Sequence, residues 1–221
     1  MTLESKGARL EDPGARFLDS LSAAWSRYSR IALIALGVVA LAVIGVVFTW
    51  RTRVNAEDQA AGRLAEANLL FWQGDYNRSL QAARQVAEQW PGTPSGIDAH
   101  RLAGDDQYWS GNFKESIAEY RRYLERRKTG VVADAVRRSL AYALESDHQY
   151  KEAAATYEGL VGRFDRESSA EFLYASARCY RALNQPAETE KRLARLVDEF
   201  GDTSYANRAR EERAELAGAT H

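Results

Sequence analysis

The side chains in this sequence that could carry out acid–base, metal or thiol chemistry are few. Its three histidines, His100, His148 and His221, lie far apart in the chain. His148 is in a break between two predicted helices, where it is best interpreted as a solvated turn residue. The single cysteine, Cys179, excludes an intrachain disulfide and a cysteine-based metal cluster. We expect Cys179 to be a small, buried or half-buried apolar residue in the middle of a helix.

An acidic pair is the remaining candidate for chemistry. Asp105 and Asp106 are neighbours on one predicted helix, and adjacent helical residues face different directions, so paired carboxylates are not expected. The sequence contains neither a glycine-rich phosphate loop nor the zinc motif HExxH. The formal net charge is −1 and the charges are interspersed, which does not favour nucleic-acid binding. We therefore predict a protein that is not an enzyme and has no metal or cofactor.

One stretch differs from the rest of the chain. Ile31–Trp50, IALIALGVVALAVIGVVFTW, contains no charged residue. A helix of this length is ~30 Å long, which matches the hydrocarbon core of a bilayer. The run and the head before it are both long for a signal peptide, so we predict an uncleaved anchor, although Val54-Asn55-Ala56 has the spacing of a cleavage site. Equal numbers of arginines flank the two ends, so charge does not predict the orientation.

This stretch divides the chain into three predicted regions. Residues 1–30 form a head, with a disordered tail over Met1–Gly14 and a short amphipathic helix over Ala15–Tyr28. Residues 31–50 form the transmembrane helix, and residues 51–221 form the polar body. The connection Arg51–Asn55 contains no Gly or Pro, so we expect the helix to continue into the body with little break.

The body repeats itself. Four helix breaks begin at Gly74, Gly111, His148 and Asn184, so their spacing is 37, 37 and 36 residues. Small residues recur seven positions before and five positions after the start of each break: Ala67 and Ser79, Gly104 and Ser116, Ala141 and Ala153, Ala177 and Thr189. Four and seven positions further on, residues that are large apart from Ala83 follow: Ala83 and Val86, Tyr120 and Tyr123, Tyr157 and Leu160, Leu193 and Leu196.

Two antiparallel helices pack closely where small side chains face each other, and the next hairpin covers the flank left open. We therefore predict an all-α protein with one N-terminal transmembrane helix, an α-solenoid of about four helical hairpins, and a C-terminal capping helix over Thr203–Leu216. This makes nine helices after the span. Two capping boxes, Ser95 with Asp98 and Ser168 with Glu171, are predicted to open first helices.

A solenoid of hairpins presents a concave surface lined by the first helix of each pair. Aromatic residues mixed with arginine are typical of peptide-binding surfaces, although a solvated helix face gives a similar pattern. The repeat register predicts that this surface contains Asn68, Phe71, Arg101, Asp105, Tyr108, Arg138, Tyr142, Glu145, Tyr174, Arg178 and Arg181.

The pattern resembles the tetratricopeptide repeat over about Ala56–Leu216. Gly74, Tyr76 and Pro91 stand where that motif has its glycine, aromatic residue and closing proline. The later repeats lack the proline, and the period exceeds the usual ~34 residues. Longer repeats of this kind are familiar in members of the family from the bacterial envelope.

The layout of one span followed by long repeats from Arg63 onward resembles the YfgM family of bacterial inner-membrane proteins. This resemblance implies a non-enzymatic scaffold with an extracytoplasmic repeat domain. It also implies that its partners are translocon subunits, chaperones or emerging chains near the Sec translocon. The alternative is a Tol–Pal or cell-division accessory protein, whose relatives usually carry a cleaved signal and a coiled coil that is missing here.

Overall fold

The computed structural model describes residues 13–218, and the described part of the chain forms nine helices. Two compact units are present, with the boundary between Val54 and Asn55. The helices are α1 (Pro13–Trp72), α2 (Tyr76–Gln89), α3 (Pro94–Trp109), α4 (Phe113–Arg126), α5 (Val131–Ser146), α6 (Tyr150–Glu158), α7 (Arg166–Ala182), α8 (Pro186–Phe200) and α9 (Ser204–Gly218).

Helix α1 contains the apolar stretch Ile31–Trp50. Its large apolar side chains are exposed where the structure describes them, and this is the one helix in the described residues long and apolar enough to cross a membrane. The predicted short helix over Ala15–Tyr28 is part of α1 rather than a separate element. Of the predicted disordered tail, residues 1–12 lie outside the described residues, and Pro13 and Gly14 are helical.

The helix also continues beyond the apolar stretch, as expected from the connection Arg51–Asn55. It ends at Trp72, so the last part of α1 is the first helix of the first hairpin. The predicted nine helices after the span are therefore eight separate helices, α2–α9, and the end of α1. The hairpins pair this end of α1 with α2, α3 with α4, α5 with α6, and α7 with α8.

The predicted repeat register is confirmed by the core. All sixteen positions that the repeat singles out are buried, including the small residues Ala67 and Ser79 of the first hairpin and the large Leu193 and Leu196 of the fourth. The ring of Tyr120 lies against Gly104, where a Cβ atom would come within 2.5 Å of it. The absence of a side chain at Gly104 therefore makes room for the large residue of the same hairpin.

The two predicted capping boxes are wrong, because both helices begin earlier. Helix α3 begins at Pro94, and its N-cap is Thr93, whose Oγ1 accepts a hydrogen bond from the Gly96 amide at 3.0 Å. Proline suits the first helical position because its missing amide has no partner to lose there. Ser95 and Asp98 are both inside the helix.

The same correction holds for α7. Its N-cap is Asp165, whose carboxylate accepts from the Ser168 amide at 2.9 Å. The hydroxyl of Ser168 donates to the same carboxylate. Together, the amide and the hydroxyl hold the pKa of Asp165 below its usual value. Ser168 and Glu171 are the third and sixth residues of α7. Both therefore lie inside the helix, and Ser168 is not its N-cap.

Glutamates of two first helices bind the next first helix. Glu57 of α1 accepts from the Ser95 amide at 3.1 Å and from the Ser95 hydroxyl at 2.7 Å. Glu167 of α7 accepts in the same way from the amide and hydroxyl of Ser204, at the start of α9. Each carboxylate satisfies donors at a helix N-terminus and thereby joins one repeat unit to its successor.

The last helix closes the solenoid, as predicted from Thr203–Leu216. Helix α9 buries Ala206 and Ala209 against Leu173, Leu193 and Leu196 of the fourth hairpin.

Candidate functional site

The eleven residues predicted to line the binding surface lie on α1, α3, α5 and α7, the first helices of the four hairpins. Each is half-buried or exposed, and none is in the core. We call this set the first-helix surface. Its two halves are built differently, since the third and fourth hairpins hold their polar side chains in mutual contacts and the first two expose aromatic rings.

In the second half, one glutamate holds two of its neighbours. Glu145 of α5 receives two hydrogen bonds from the Arg178 guanidinium of α7, at 2.6 and 2.8 Å, and one from the Tyr157 hydroxyl at 2.8 Å. The two-point contact between a guanidinium and a carboxylate is a strong ion-pair geometry. It raises the pKa of Arg178, mainly through the hydrogen bond to Glu145. At this point of the first-helix surface, Glu145 and Arg178 are therefore paired with each other.

The neighbouring polar residues are paired in the same way. Glu212 of α9 accepts from the Arg181 guanidinium at 2.6 Å and from the Tyr174 hydroxyl at 3.1 Å. The Tyr142 hydroxyl donates to Glu171 at 3.0 Å, and burial raises the pKa of Tyr142 to about 12. These contacts run from one helix of this half to the next, so most polar groups of the surface here are paired with each other.

Arg138 and Asn68 have more local contacts. The Arg138 guanidinium lies 5.4 Å from the centre of the Phe164 ring, within the range of a cation–π interaction. The Asn68 amide donates to the backbone carbonyl of Leu64, one turn earlier, at 2.8 Å.

In the first half, Asp105 is the central polar residue. Its carboxylate accepts from the Tyr120 hydroxyl at 2.7 Å and from the Arg101 guanidinium at 2.9 Å. Burial is the largest influence on Asp105 and raises its pKa in spite of these two donors. The carboxylate therefore has less stabilisation from its surroundings than it would have in water.

An aromatic row that the sequence analysis did not predict lies at the turns of the first two hairpins, where α1 and α3 end and α2 and α4 begin. Six rings are in successive contact, with centroids 5.4–6.4 Å apart, in the order Trp72, Phe71, Tyr76, Trp109, Tyr108 and Phe113. Trp72 is 81% exposed and Trp109 is 62% exposed. Contiguous exposed aromatic surface of this kind is typical of interaction sites. The signal was present in the sequence, since Trp72 and Trp109 are one repeat apart.

A cleft of about 140 Å³ opens beside the row, between α3 and α5. We call it the acidic cleft, and it is lined by Asp105, Tyr108, Trp109, Tyr120, Ser139 and Tyr142. It brings together three of the predicted residues, Asp105, Tyr108 and Tyr142, from two hairpins. Among the described residues, neither a lysine nor an arginine lines it.

The burial of Asp106, the second residue of the acidic pair, was also not predicted. Asp106 is fully buried, and one carboxylate oxygen accepts from the Ser79 hydroxyl of α2 at 2.9 Å. The other oxygen is buried and has no hydrogen-bond partner among the described residues. Burial, with a smaller contribution from the charge of neighbouring Asp105, raises the pKa of Asp106 from 3.8 to about 7. The two carboxylates point to different environments, as the helix geometry predicts.

The other candidates for chemistry have ordinary structural places. Cys179 is buried as expected, and burial raises the pKa of its thiol to about 12, far from that of a reactive thiolate. His148 is an exposed turn residue, as predicted, with φ of 61°. No group of three or more potential metal ligands occurs among residues 13–218.

Comparison with known proteins identifies the repeat. A tetratricopeptide-repeat family model matches residues 171–203, which are most of the fourth hairpin. No curated protein sequence matches the chain significantly.

Solved structures show the same likeness over a larger part of the chain. Nearly identical TPR-like repeats from Podosopora anserina are 17% identical and superpose with a TM-score of 0.58, covering 74% of this chain and 88% of that one. A tetratricopeptide repeat protein from Parabacteroides merdae is 14% identical, with a TM-score of 0.61, and the match covers 73% of this chain and 61% of that one. The fold is that of a tetratricopeptide-like solenoid, an architecture typical of scaffolds for protein–protein interaction.

Proposed function

We propose that this chain is a membrane-anchored, non-enzymatic scaffold that binds other proteins on the first two hairpins of its repeats, where the aromatic row lies. The observation that carries the proposal is the aromatic row with its exposed Trp72 and Trp109. Exposed aromatic rings on a rigid helical framework supply large contact areas at low cost in side-chain entropy. The polar network around Glu145 supports the same proposal, because it keeps adjacent first helices in register.

The proposed location is the inner membrane of a bacterial envelope, with Ile31–Trp50 as the anchor and the repeats outside the cytoplasm. The apolar helix and the long repeats support it, since their layout resembles that of the YfgM family. The proposed partners are translocon subunits, periplasmic chaperones or emerging secreted chains.

Site-specific photo-crosslinking in bacterial cells tests the binding surface. A benzophenone amino acid replaces Trp109 in the full-length chain, and a matched chain carries it at Lys151, an exposed residue of α6, the second helix of its hairpin. We expect discrete crosslinked products that contain translocon or chaperone subunits from position 109 and none of these from position 151. The same products from both positions would contradict the proposal.

Protease treatment of spheroplasts tests the location separately. Trypsin added from outside is expected to digest the repeats of the anchored chain while a cytoplasmic marker stays intact. Full protection of the repeats would place them in the cytoplasm and overturn the proposed partners there.

A further inference from the structure

The acidic cleft has a lining that suits a positively charged group. Four of its lining residues are aromatic, Tyr108, Trp109, Tyr120 and Tyr142, and one, Asp105, supplies a carboxylate. The faces of aromatic rings carry negative partial charge and attract a guanidinium or ammonium group. Among the described residues that line the cleft, Asp105 is the one charged group, and its ion pair with Arg101 is made outside the lining.

The Asp105 carboxylate can accept further hydrogen bonds. One of its oxygens accepts from Tyr120 and the other from Arg101, and each carboxylate oxygen has two lone pairs. Arg101 lies outside the cleft lining, so it leaves the approach to Asp105 through the cleft open. Burial of this carboxylate strengthens its attraction for a cation because fewer water molecules screen the charge.

Trp109 links the cleft to the aromatic row. It lines the cleft and also stacks on Tyr76, with ring centroids 6.4 Å apart and an angle of 19° between the planes. From Tyr76 the row continues through Phe71 to Trp72. A ligand with a basic group in the cleft would therefore have apolar rings beside it on the side of the first hairpin.

We propose that the acidic cleft binds an arginine side chain of an extended partner segment, whose neighbouring apolar residues lie on the aromatic row. Arginine fits better than lysine because its planar guanidinium stacks on aromatic faces while it donates hydrogen bonds to a carboxylate. This inference rests on the proposed function and adds to it the chemistry of the partner: a basic residue flanked by aliphatic residues or proline.

Two labelled heptapeptides, GLPXLPG, test the proposal on the full-length chain in detergent micelles. In one peptide X is arginine, and in the other X is citrulline, which has nearly the same shape and no charge. Fluorescence anisotropy measures both dissociation constants. We expect the arginine peptide to bind about tenfold more tightly, the size of one hydrogen bond to a charged group.

Three variants separate the parts of the site. Asp105→Asn should reduce the preference for arginine to about twofold, and Trp109→Ala should weaken the arginine peptide about tenfold while leaving the fold intact, since this side chain is largely exposed. Trp72→Ala should weaken both peptides equally. The control Glu125→Gln, at an exposed carboxylate of α4, should leave both constants unchanged.

Equal binding of the two peptides, no binding of either, or a preference for arginine that survives Asp105→Asn would overturn the inference. None of these three results would by itself contradict the proposed function. If crosslinking from position 109 still yields partner proteins, the scaffold stands without the arginine site; if it yields none, both proposals fail.

Discussion

The first and second halves of the repeat domain have different kinds of residue at equivalent positions of the repeat. Where the first two hairpins have Trp72 and Trp109, the next two have Ser146 and Ala182. Where the third hairpin places Glu145 in a two-point contact with Arg178, the second has Tyr108 in the aromatic row. The first half therefore exposes apolar rings to solvent, and the second half satisfies its polar groups internally.

Under the proposed function, this difference predicts that one half of the repeats serves binding and the other serves stability. A paired charge network such as that around Glu145 contributes order and has few unsatisfied groups to offer a partner. Exposed tryptophans contribute little to folding and much to binding. We therefore expect variants of the first half to affect binding and variants of the second half to affect stability, with core positions in either half outweighing both.

The largest effect is expected at Gly104, because the other three hairpins have alanine at this position of the repeat, Ala67, Ala141 and Ala177. Gly104→Val places side-chain atoms against the Tyr120 ring, which already lies within 2.5 Å of a Cβ at this position. We expect a loss of about 3 kcal/mol in the free energy of unfolding, as for an overpacked core. Urea unfolding followed by circular dichroism measures it.

Gly62→Ala serves as the control for this substitution. Gly62 lies on the repeat portion of α1 with no atom near the added methyl group. Alanine is the better helix former, so this variant should be slightly more stable. A Gly104→Val protein as stable as the original would show that Tyr120 can move aside.

The next effect concerns Asp106, which occupies the position of Ala143 and Cys179 in the second half. Its pKa is about 7 in the folded chain and 3.8 ordinarily, so the folded state binds the proton more tightly than the unfolded state. Stability is therefore full below pH ~4 and decreases as the pH rises towards ~7.

Asp106→Asn should remove this dependence. We expect the variant to be about 2 kcal/mol more stable than the original at pH 8, below the ceiling of ~4 kcal/mol from ~1.36 kcal/mol per pKa unit, and about equal to it at pH 4. Thermal unfolding at both values measures the difference. An identical gain at both would show that ionisation of Asp106 is not the cause.

Glu145→Gln should have a smaller effect and should act on stability alone. It removes the charge that holds Arg178 and weakens the bond from Tyr157, but Arg178 is partly exposed, so we expect a loss of about 1 kcal/mol. Crosslinking from position 109 should be unchanged. A loss of crosslinks in a folded Glu145→Gln protein would extend the binding site into the second half.

Trp72→Ala should have the smallest effect on stability and a clear effect on binding. Its ring is largely exposed, so the free energy of unfolding should change by less than about 0.5 kcal/mol. The yield of crosslinks from position 109 should decrease severalfold. An unchanged yield would restrict the binding surface to the cleft and Trp109.

The sequence predicts the fold well because the repeat constrains it four times. Small residues such as Ala67 and Gly104 must be buried wherever two helices approach closely, and all such positions are buried. The helix starts are less well determined, since both Thr93 and Ser95 are acceptable N-caps and one Pro decides between them. Placement of the predicted site residues on first helices follows from the register, whereas their role in binding stays a prediction.

The acidic cleft and buried Asp106 could not be predicted in the same way. Both depend on contacts between residues of different hairpins, such as Asp106 with Ser79, and periodicity within a helix does not contain that information. The aromatic row is different, because the 37-residue separation of Trp72 and Trp109 was readable in the register.

The carboxylates that bind successive first helices also leave the start of α5 without such a contact. Glu57 ties α3 to the first hairpin and Glu167 ties α9 to the fourth, but α5 begins after Gly130 with no side-chain cap, and its first residue, Val131, is 84% exposed. In a linear array each unit is stabilised mainly by its neighbours. We therefore expect local opening to begin as fraying of the first turn of α5, while the apolar core that α4 and α5 share keeps the two halves together.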